Sequence, residues 1–128
     1  MTNKEERRLA QIAENEAMES VVSEALKIWN INAHGDGKQL RHMQATIFTI
    51  GKFTFLVSYE TLAAFIYDGE GYDILRMFTF YKEWIRFEGI WGYVDRSEYT
   101  NYSPTSGKQI STFFSEYKVN KIHTYRNL

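Results

Sequence analysis

The chain has 128 residues, which suffices for one domain with a continuous core but not for two. Its hydrophobic share of 44% and charged share of 24% are typical of a globular protein, and its net charge of −1 argues against both a general polyanion binder and an acidic DNA mimic. The absence of cysteine excludes disulfides, thiolate catalysis and cysteine-ligated zinc.

The beginning of the chain, MTNKEE, has no apolar leader segment, and no window is apolar over a membrane-spanning length. We therefore expect a soluble, cytoplasmic protein that does not enter a membrane. The aromatic share of 16% is high, so many aromatic side chains must be buried in a core or presented to a partner.

Residues 3–29 are predicted to form a long helix, because apolar side chains recur at helical spacing while charged ones occupy the other side. The apolar stripe consists of Leu9, Ile12, Ala13, Ala17, Val21, Val22, Ala25, Leu26 and Trp29. It is narrow near Asn15 and Glu16, so the helix could extend there into solvent or against a partner. A homodimer formed through this helix is one such association.

Residues 45–96 are predicted to form an antiparallel sheet of about four to six strands. Residues 45–50 and 53–59 are rich in Thr, Ile, Phe and Val, and the Gly-Lys pair between them has the spacing of a hairpin. Residues 62–67 are predicted as a third strand, closed by a DGEG turn.

Residues 72–88 fit both a strand and a helix. Ile74, Phe78, Tyr81 and Ile85 have helical spacing. The density of Phe, Tyr and Thr favours a strand, which is the alternative that we adopt. A short strand over residues 93–96 completes the predicted sheet.

Residues 103–117 are predicted to form a short helix. Ser103 is suited to accept a hydrogen bond from a free backbone N–H, and Pro104 fits the first helical position, where its missing N–H costs nothing. Ile110 and Phe114 belong to one apolar face, which should pack on the sheet.

Residues 118–128 form a basic tail without an acidic residue. The whole chain, residues 1–128, is therefore predicted to be a single α+β domain. It has a long N-terminal helix, an antiparallel sheet and a short C-terminal helix packed on that sheet.

Two passages resemble a known class of small domains. Residues 58–64, SYETLAA, are similar to a strand of the form S-Y-x-T-x-V-A, and residues 102–114 are similar to a Y-S-x-T-T-S-K-H segment that leads into a helix. The second similarity rests on Tyr102, Ser103, Thr105, Ser106 and Lys108. The chain departs from the two patterns at Ala63, Gly107 and Gln109.

Both patterns occur in uncharacterised domains of phages and plasmids. The resemblance therefore implies an accessory protein of a phage or mobile element. It implies no activity, because that class of domains has none assigned.

An SGK tripeptide at residues 106–108 invites comparison with a phosphate-binding loop. A Walker loop needs a glycine where this chain has Tyr102 and a Ser or Thr where it has Gln109, so the motif fails at both places. What remains is a candidate anion site at the helix start, formed by Ser103, Thr105, Ser106 and Lys108. Helix capping explains the same polar residues and is the interpretation that we favour.

No catalytic or metal-binding constellation stands out. His34, Asp36 and His42 do not have the spacing of a compact metal loop and suit a solvated connection, so neither a metal nor another cofactor is predicted. The sequence singles out no nucleophile with a base and no pair of carboxylates. We therefore predict that the protein is not an enzyme.

The remaining candidate is a binding surface rich in aromatic and basic side chains. Its predicted members, with the basic tail, are Arg76, Lys82, Trp84, Arg86, Trp91, Tyr93, Lys118 and Lys121. Trp, Tyr and Arg are preferred anchors of protein interfaces, and they also stack on single-stranded nucleic acid. Because the net charge is near zero, we rank a protein partner above nucleic acid.

The leading hypothesis is a non-catalytic, phage-type accessory protein that binds a host protein in the cytoplasm of the host cell. Its concrete form is an anti-CRISPR-like inhibitor of a defence nuclease, which follows from the resemblance and from the missing catalytic motifs. The alternative is a module that binds single-stranded nucleic acid through an aromatic and basic face of the sheet.

Overall fold

A long helix, a six-stranded sheet and two shorter helices make up the part of the chain that the structure describes. The computed structural model describes residues 2–32, 37–40, 43–59, 61–80 and 103–124. Its elements are α1 (Asn3–Asn32), β1 (Lys38–Gln39), β2 (Ala45–Ile50), β3 (Phe53–Ser58), β4 (Thr61–Tyr67), β5 (Glu70–Tyr72), α2 (Ile74–Phe80), α3 (Pro104–Glu116) and β6 (Lys121–His123). The predicted α+β class is thus confirmed. None of these helices is both long enough and apolar enough to cross a bilayer.

The six strands lie side by side in the order in which they occur in the chain. Each pairs antiparallel with the strand before it, except that β6 runs parallel to β5. Residues with positive φ form the tight turns: Gly51 at 59° between β2 and β3, and Asp68 at 52° and Gly69 at 75° between β4 and β5. The sheet is therefore mostly antiparallel, as predicted, with one parallel pairing at its end.

One face of the sheet carries a row of rings that crosses five strands. The register places Phe48, Phe55, Phe65, Tyr72 and His123 beside one another, one from each of β2 to β6. The ring centroids of Phe55 and Phe65 are 6.1 Å apart, those of Phe65 and Tyr72 4.6 Å, and those of Tyr72 and His123 4.5 Å. Such cross-strand ring pairs stabilise a sheet beyond the area that they bury.

Helix α1 covers this row and crosses the strands. The Trp29 ring lies 5.3 Å from that of Phe48 and 5.2 Å from that of Phe55, while Glu14 Oε1 lies 3.0 Å from Lys121 Nζ on β6. The roughly 22 Å of helix between Glu14 and Trp29 matches the roughly 19 Å that separates β2 from β6. The buried apolar side chains between these two ends are Met18, Val22, Ala25 and Leu26.

The first turns of α1 extend past the sheet. Residues 2–10 are all exposed, and Leu9, a member of the predicted apolar stripe, is 51% exposed. Asn15 lies within the buried stripe rather than at a solvent-facing gap, and its Oδ1 accepts a hydrogen bond from Gln11 Nε2 at 2.9 Å. The helix therefore leaves the sheet near Gln11, about one turn before Asn15.

Helix α3 packs on the opposite face and begins as predicted. Ser103 Oγ accepts a hydrogen bond from the Ser106 backbone N–H at 3.1 Å, and Pro104 occupies the first turn. The side chains of Ile110, Phe113 and Phe114 are buried. The predicted C-terminal helix and its packing on the sheet are therefore confirmed.

Gly71 on β5 permits this packing. A Cβ atom at Gly71 would lie 2.7 Å from the Phe114 ring, closer than side-chain atoms approach one another. A glycine at this position lets α3 approach the backbone of the sheet directly.

The strand prediction for residues 74–80 is wrong, because this stretch is helix α2. Asp73 Oδ1 accepts a hydrogen bond from the Arg76 backbone N–H at 2.9 Å and so caps the helix. The side chains of Ile74, Leu75, Met77 and Phe78 are all buried. Ile74 and Phe78 have the helical spacing noted in the sequence, but Leu75 and Met77 are buried too, so the pattern did not outweigh the density of Phe, Tyr and Thr. Residues 81–88 and the predicted strand over residues 93–96 lie outside the described residues.

Part of the predicted basic tail is a strand. Residues Lys121–His123 form β6, which pairs with β5 at the end of the sheet. The sequence analysis did not predict a strand in this basic segment. A three-residue strand with one apolar side chain has too little periodicity to be recognised from the sequence.

Candidate functional site

A groove of about 310 Å³ opens between α2, α3 and β6, on the face of the sheet opposite α1. Its walls are mostly apolar, with a few polar groups at the rim. The lining residues are Asp73, Arg76, Ile110, Ser111, Phe114, Ser115, Val119 and Ile122. A largely apolar concavity with convergent polar groups is the usual form of a binding site.

The chain reversal after α3 builds one wall of this groove. Lys118 adopts a left-handed conformation with φ 51°, and the Val119 N–H donates to the Phe114 carbonyl at 3.2 Å, which ends the helix. The Asn120 N–H then donates to the Gly69 carbonyl at 2.9 Å and ties the chain to the sheet. These hydrogen bonds fix the connection between α3 and β6, and they place Val119 at the wall of the groove.

The opposite wall is anchored by Asp73. Its backbone N–H donates to the His123 carbonyl at 3.0 Å, which joins the start of α2 to the end of β6. Its Oδ2 lies 3.4 Å from Arg76 Nε, and the Arg76 side chain is 49% exposed. The carboxylate thus holds the guanidinium of Arg76 at the rim of the groove.

Burial raises the pKa of Asp73 to about 6, although the hydrogen bond from the Arg76 N–H and the Arg76 charge both act to lower it. The ordinary pKa of the group is 3.8. Between these two values the folded state binds more protons than the unfolded state. The free energy of unfolding should therefore fall as the pH rises through this window.

Asp73→Asn is expected to remove this pH dependence. The asparagine Oδ1 can cap α2 in the same way but cannot ionise. We expect the wild type to lose about 2 kcal/mol of unfolding free energy as the pH rises from roughly 4 to 6.5, and the variant to lose much less. Urea unfolding followed by circular dichroism at both pH values measures the difference.

Asp68→Asn is the matched control, since Asp68 is exposed at a hairpin turn where asparagine is also favoured. This variant should keep the wild-type pH dependence. Equal pH dependence in the wild type and in Asp73→Asn would show that the buried carboxyl group does not carry the effect.

A second polar cluster joins α3 to β3. The hydroxyl groups of Ser58 and Ser106 lie 3.0 Å apart, and Ser58 Oγ also donates to Gln109 Oε1. Ser103 Oγ donates to Ser106 Oγ at 3.0 Å. Ser58 and Gln109 are almost completely buried. These side chains satisfy one another within the structure, as buried polar groups must.

The four residues of the predicted anion site have different surroundings. Ser103 and Ser106 belong to the cluster that faces β3, whereas Thr105 and Lys108 are exposed. The hydrogen bonds identify Ser103 as the cap of α3 and Ser106 as a residue that joins α3 to β3. Anion binding at these four residues stays a prediction.

Three of the predicted partner-binding residues lie in the described part of the chain. Arg76 lines the groove, Lys118 is exposed at the turn after α3, and Lys121 pairs with Glu14 on the other face of the sheet. The structure therefore places Arg76 and Lys121 on opposite faces. The remaining predicted residues lie outside the described ranges: Lys82, Trp84, Arg86, Trp91 and Tyr93.

The groove adds residues that the sequence does not single out. The spacing of Ile110 and Phe114 predicts that they face the core. The neighbouring sequence does not indicate that they also line a groove. The sequence offers one sign of the groove, which is the presence of an isoleucine, Ile122, in a basic segment. In the structure this side chain is 52% exposed.

The described ranges contain no group of three or more histidine, aspartate or glutamate side chains that could hold a metal ion. His34, Asp36 and His42 lie outside those ranges. His123 Nε2 lies 2.9 Å from Glu70 Oε1 at the edge of the sheet.

No protein-family model, curated protein or solved structure matches this chain. The resemblance to the phage and plasmid domains therefore stays a prediction.

Proposed function

We propose that the protein is a non-catalytic, phage-type accessory protein that binds a host protein in the cytoplasm of the host cell. An anti-CRISPR-like inhibitor of a defence nuclease is the concrete form of this proposal. The observation that supports it is the groove beside Arg76, which has the composition of an interaction site.

The groove resembles the centre of a protein interface in chemistry and size. Ile110 and Phe114 form the buried floor of the groove, the partly exposed Val119 and the exposed Ile122 offer apolar surface beside it, and Arg76 stands at the rim. Interfaces combine an apolar centre with a polar rim, and arginine is enriched among their anchors. A volume of about 310 Å³ accommodates one or two side chains of a partner.

The described aromatic face of the sheet offers less support for nucleic-acid binding. Phe55, Phe65 and Tyr72 are buried, and α1 covers them. Stacking of bases requires exposed rings. Binding of single-stranded nucleic acid therefore depends on residues 82–93, which lie outside the described ranges.

Self-association through α1 is part of the same proposal. Leu9 is exposed on the outer side of the helix, away from the sheet, and gives this surface an apolar centre. We expect Leu9→Glu to shift a dimer to monomer without unfolding the protein. Sedimentation equilibrium of both proteins measures this, and a wild type that is monomeric at high concentration would contradict it.

The proposed function is tested by capture from a host-cell lysate, combined with an oligonucleotide titration. We expect one host protein to be captured saturably, and the purified partner, if it is a nuclease, to lose activity on addition of this protein. Binding of oligo(dT) that falls steeply with salt, without saturable capture of any protein, would favour the nucleic-acid alternative and contradict the proposal.

A further inference from the structure

The projecting turns of α1 and the edge of the sheet form a corner. Glu14 pairs with Lys121 of β6, and a small crevice between the two elements is lined by Gln11 and Met18 from the helix and by Thr124 beyond the strand. Since β2 and β3 lie under the other end of α1, the helix runs outward over β6. Residues 3–10 therefore overhang the space next to that strand.

The size of the overhang suits an added strand. Eight helical residues extend about 12 Å, and neighbouring strands lie about 4.8 Å apart. In the described part of the chain β6 is the last strand of the sheet. An edge strand offers backbone donors and acceptors to a further strand, and among the described residues the overhang spans the width of one or two of them.

The underside of the overhang is basic. Lys4, Arg7 and Arg8 precede the buried residues Val22, Ala25 and Leu26 by eighteen positions each, which is five full turns of helix. They therefore point in the same direction as the residues that face the sheet, but beyond its edge. Glu5 and Glu6 precede Ser23 and Glu24 by the same eighteen positions. Because Ser23 and Glu24 are not buried, Glu5 and Glu6 lie on other sides of the helix.

No ion pair joins these three basic side chains to another described residue. All three are exposed. Lys121 is already paired with Glu14, so the uncompensated positive charge of the corner is that of Lys4, Arg7 and Arg8. Three like charges concentrated above an edge strand favour an anionic occupant, and the strand edge favours a polypeptide over a nucleic acid.

We propose that this corner docks an extended, acidic segment of a partner protein, which adds to β6 as a strand. Side chains alternate between the two faces of a strand, so acidic residues at every second position would face Lys4, Arg7 and Arg8. The residues between them would lie on the opposite face, beside Ile122. The corner is a second contact surface and does not depend on whether the groove binds.

Two acetylated octapeptides serve as probes, one of alternating glutamate and valine and one of alternating lysine and valine. We expect the acidic peptide alone to bind by fluorescence anisotropy, and its affinity to fall at least tenfold in the triple variant Lys4→Glu, Arg7→Glu, Arg8→Glu. This variant should keep its helix, because glutamate is a good helix former and position 4 lies in the first turn, where an acidic residue is favourable. Hydrogen exchange should show protection of amides 121–124 on binding.

The triple variant Lys27→Glu, Lys38→Glu, Lys52→Glu is the matched control, with the same charge change at exposed positions away from the corner. It should bind the acidic peptide within twofold of the wild type. Equal affinity of both triple variants, absence of binding at millimolar peptide, or protection confined to other strands would overturn the proposal. Binding of oligo(dT) that depends on Lys4, Arg7 and Arg8, with no peptide binding, would assign the corner to nucleic acid instead.

Discussion

Ser111→Arg is expected to weaken binding of the host protein about a hundredfold, which corresponds to about 2.7 kcal/mol. Ser111 is exposed on α3 and lines the groove, so a long, charged side chain there occupies the space that the partner's side chains would fill. Arginine also places a second positive charge close to Arg76. Titration calorimetry with the captured partner measures the loss.

The fold should survive this change. Ser111 is exposed, and arginine has a higher helix propensity than serine, so the melting temperature should stay within a few degrees. Thr105→Arg places the same side chain at an exposed position of α3 that does not line the groove, and it should bind like the wild type. Equal binding by Ser111→Arg and Thr105→Arg would show that the groove is not the contact.

Phe65→Ala is expected to lower the free energy of unfolding by about 4 kcal/mol. Phe65 is fully buried near the middle of the ring row, with Phe55 on one side and Tyr72 on the other, and its ring centroid also lies 5.8 Å from that of Phe53. Truncation leaves a cavity under α1 and breaks contacts with three rings on the two neighbouring strands, β3 and β5. The loss is comparable to the whole stability of a marginal domain, which is about 5 kcal/mol.

Phe48→Ala is the control for this effect. Phe48 is the end of the same row and is only partly buried, so its loss should cost about 1–2 kcal/mol. Urea unfolding of both variants gives the comparison. A loss below about 1 kcal/mol for Phe65→Ala, or equal losses for the two, would contradict the central position of Phe65 in the core.

Local signals predicted α3 and the hairpins correctly. Ser103 and Pro104 specify the start of the helix by the hydrogen bond and backbone angle that each residue type favours, and these preferences act within a few residues. The same holds for the turn at Asp68 and Gly69, whose positive φ values these residue types tolerate.

Non-local packing explains the errors. Helix α2 packs against β4, and Leu75 and Met77 are buried as well as Ile74 and Phe78, so its buried side chains do not define one face. Strand β6 exists because Asn120 and Asp73 are hydrogen-bonded to partners distant in the sequence, Gly69 and His123 respectively. A pattern search along the chain cannot detect such pairing.

The candidate site was only partly predictable for the same reason. Arg76 has a residue type that is preferred in interfaces, and the sequence therefore selects it. The groove itself arises where α2, α3 and β6 meet, and these elements are separated by tens of residues in the chain. The overhang at Lys4, Arg7 and Arg8 likewise becomes visible only when the position of the sheet edge is known.

Photo-crosslinking from the groove tests the proposed function most directly. The crosslinking residue p-benzoylphenylalanine is placed at Ser115, which lines the groove, and in a second protein at Lys52, which lies in the exposed β2–β3 turn. We predict that irradiation in host-cell lysate links one host protein to position 115 and not to position 52. Equal crosslinking from both positions, or from position 52 alone, would contradict the groove as the binding site.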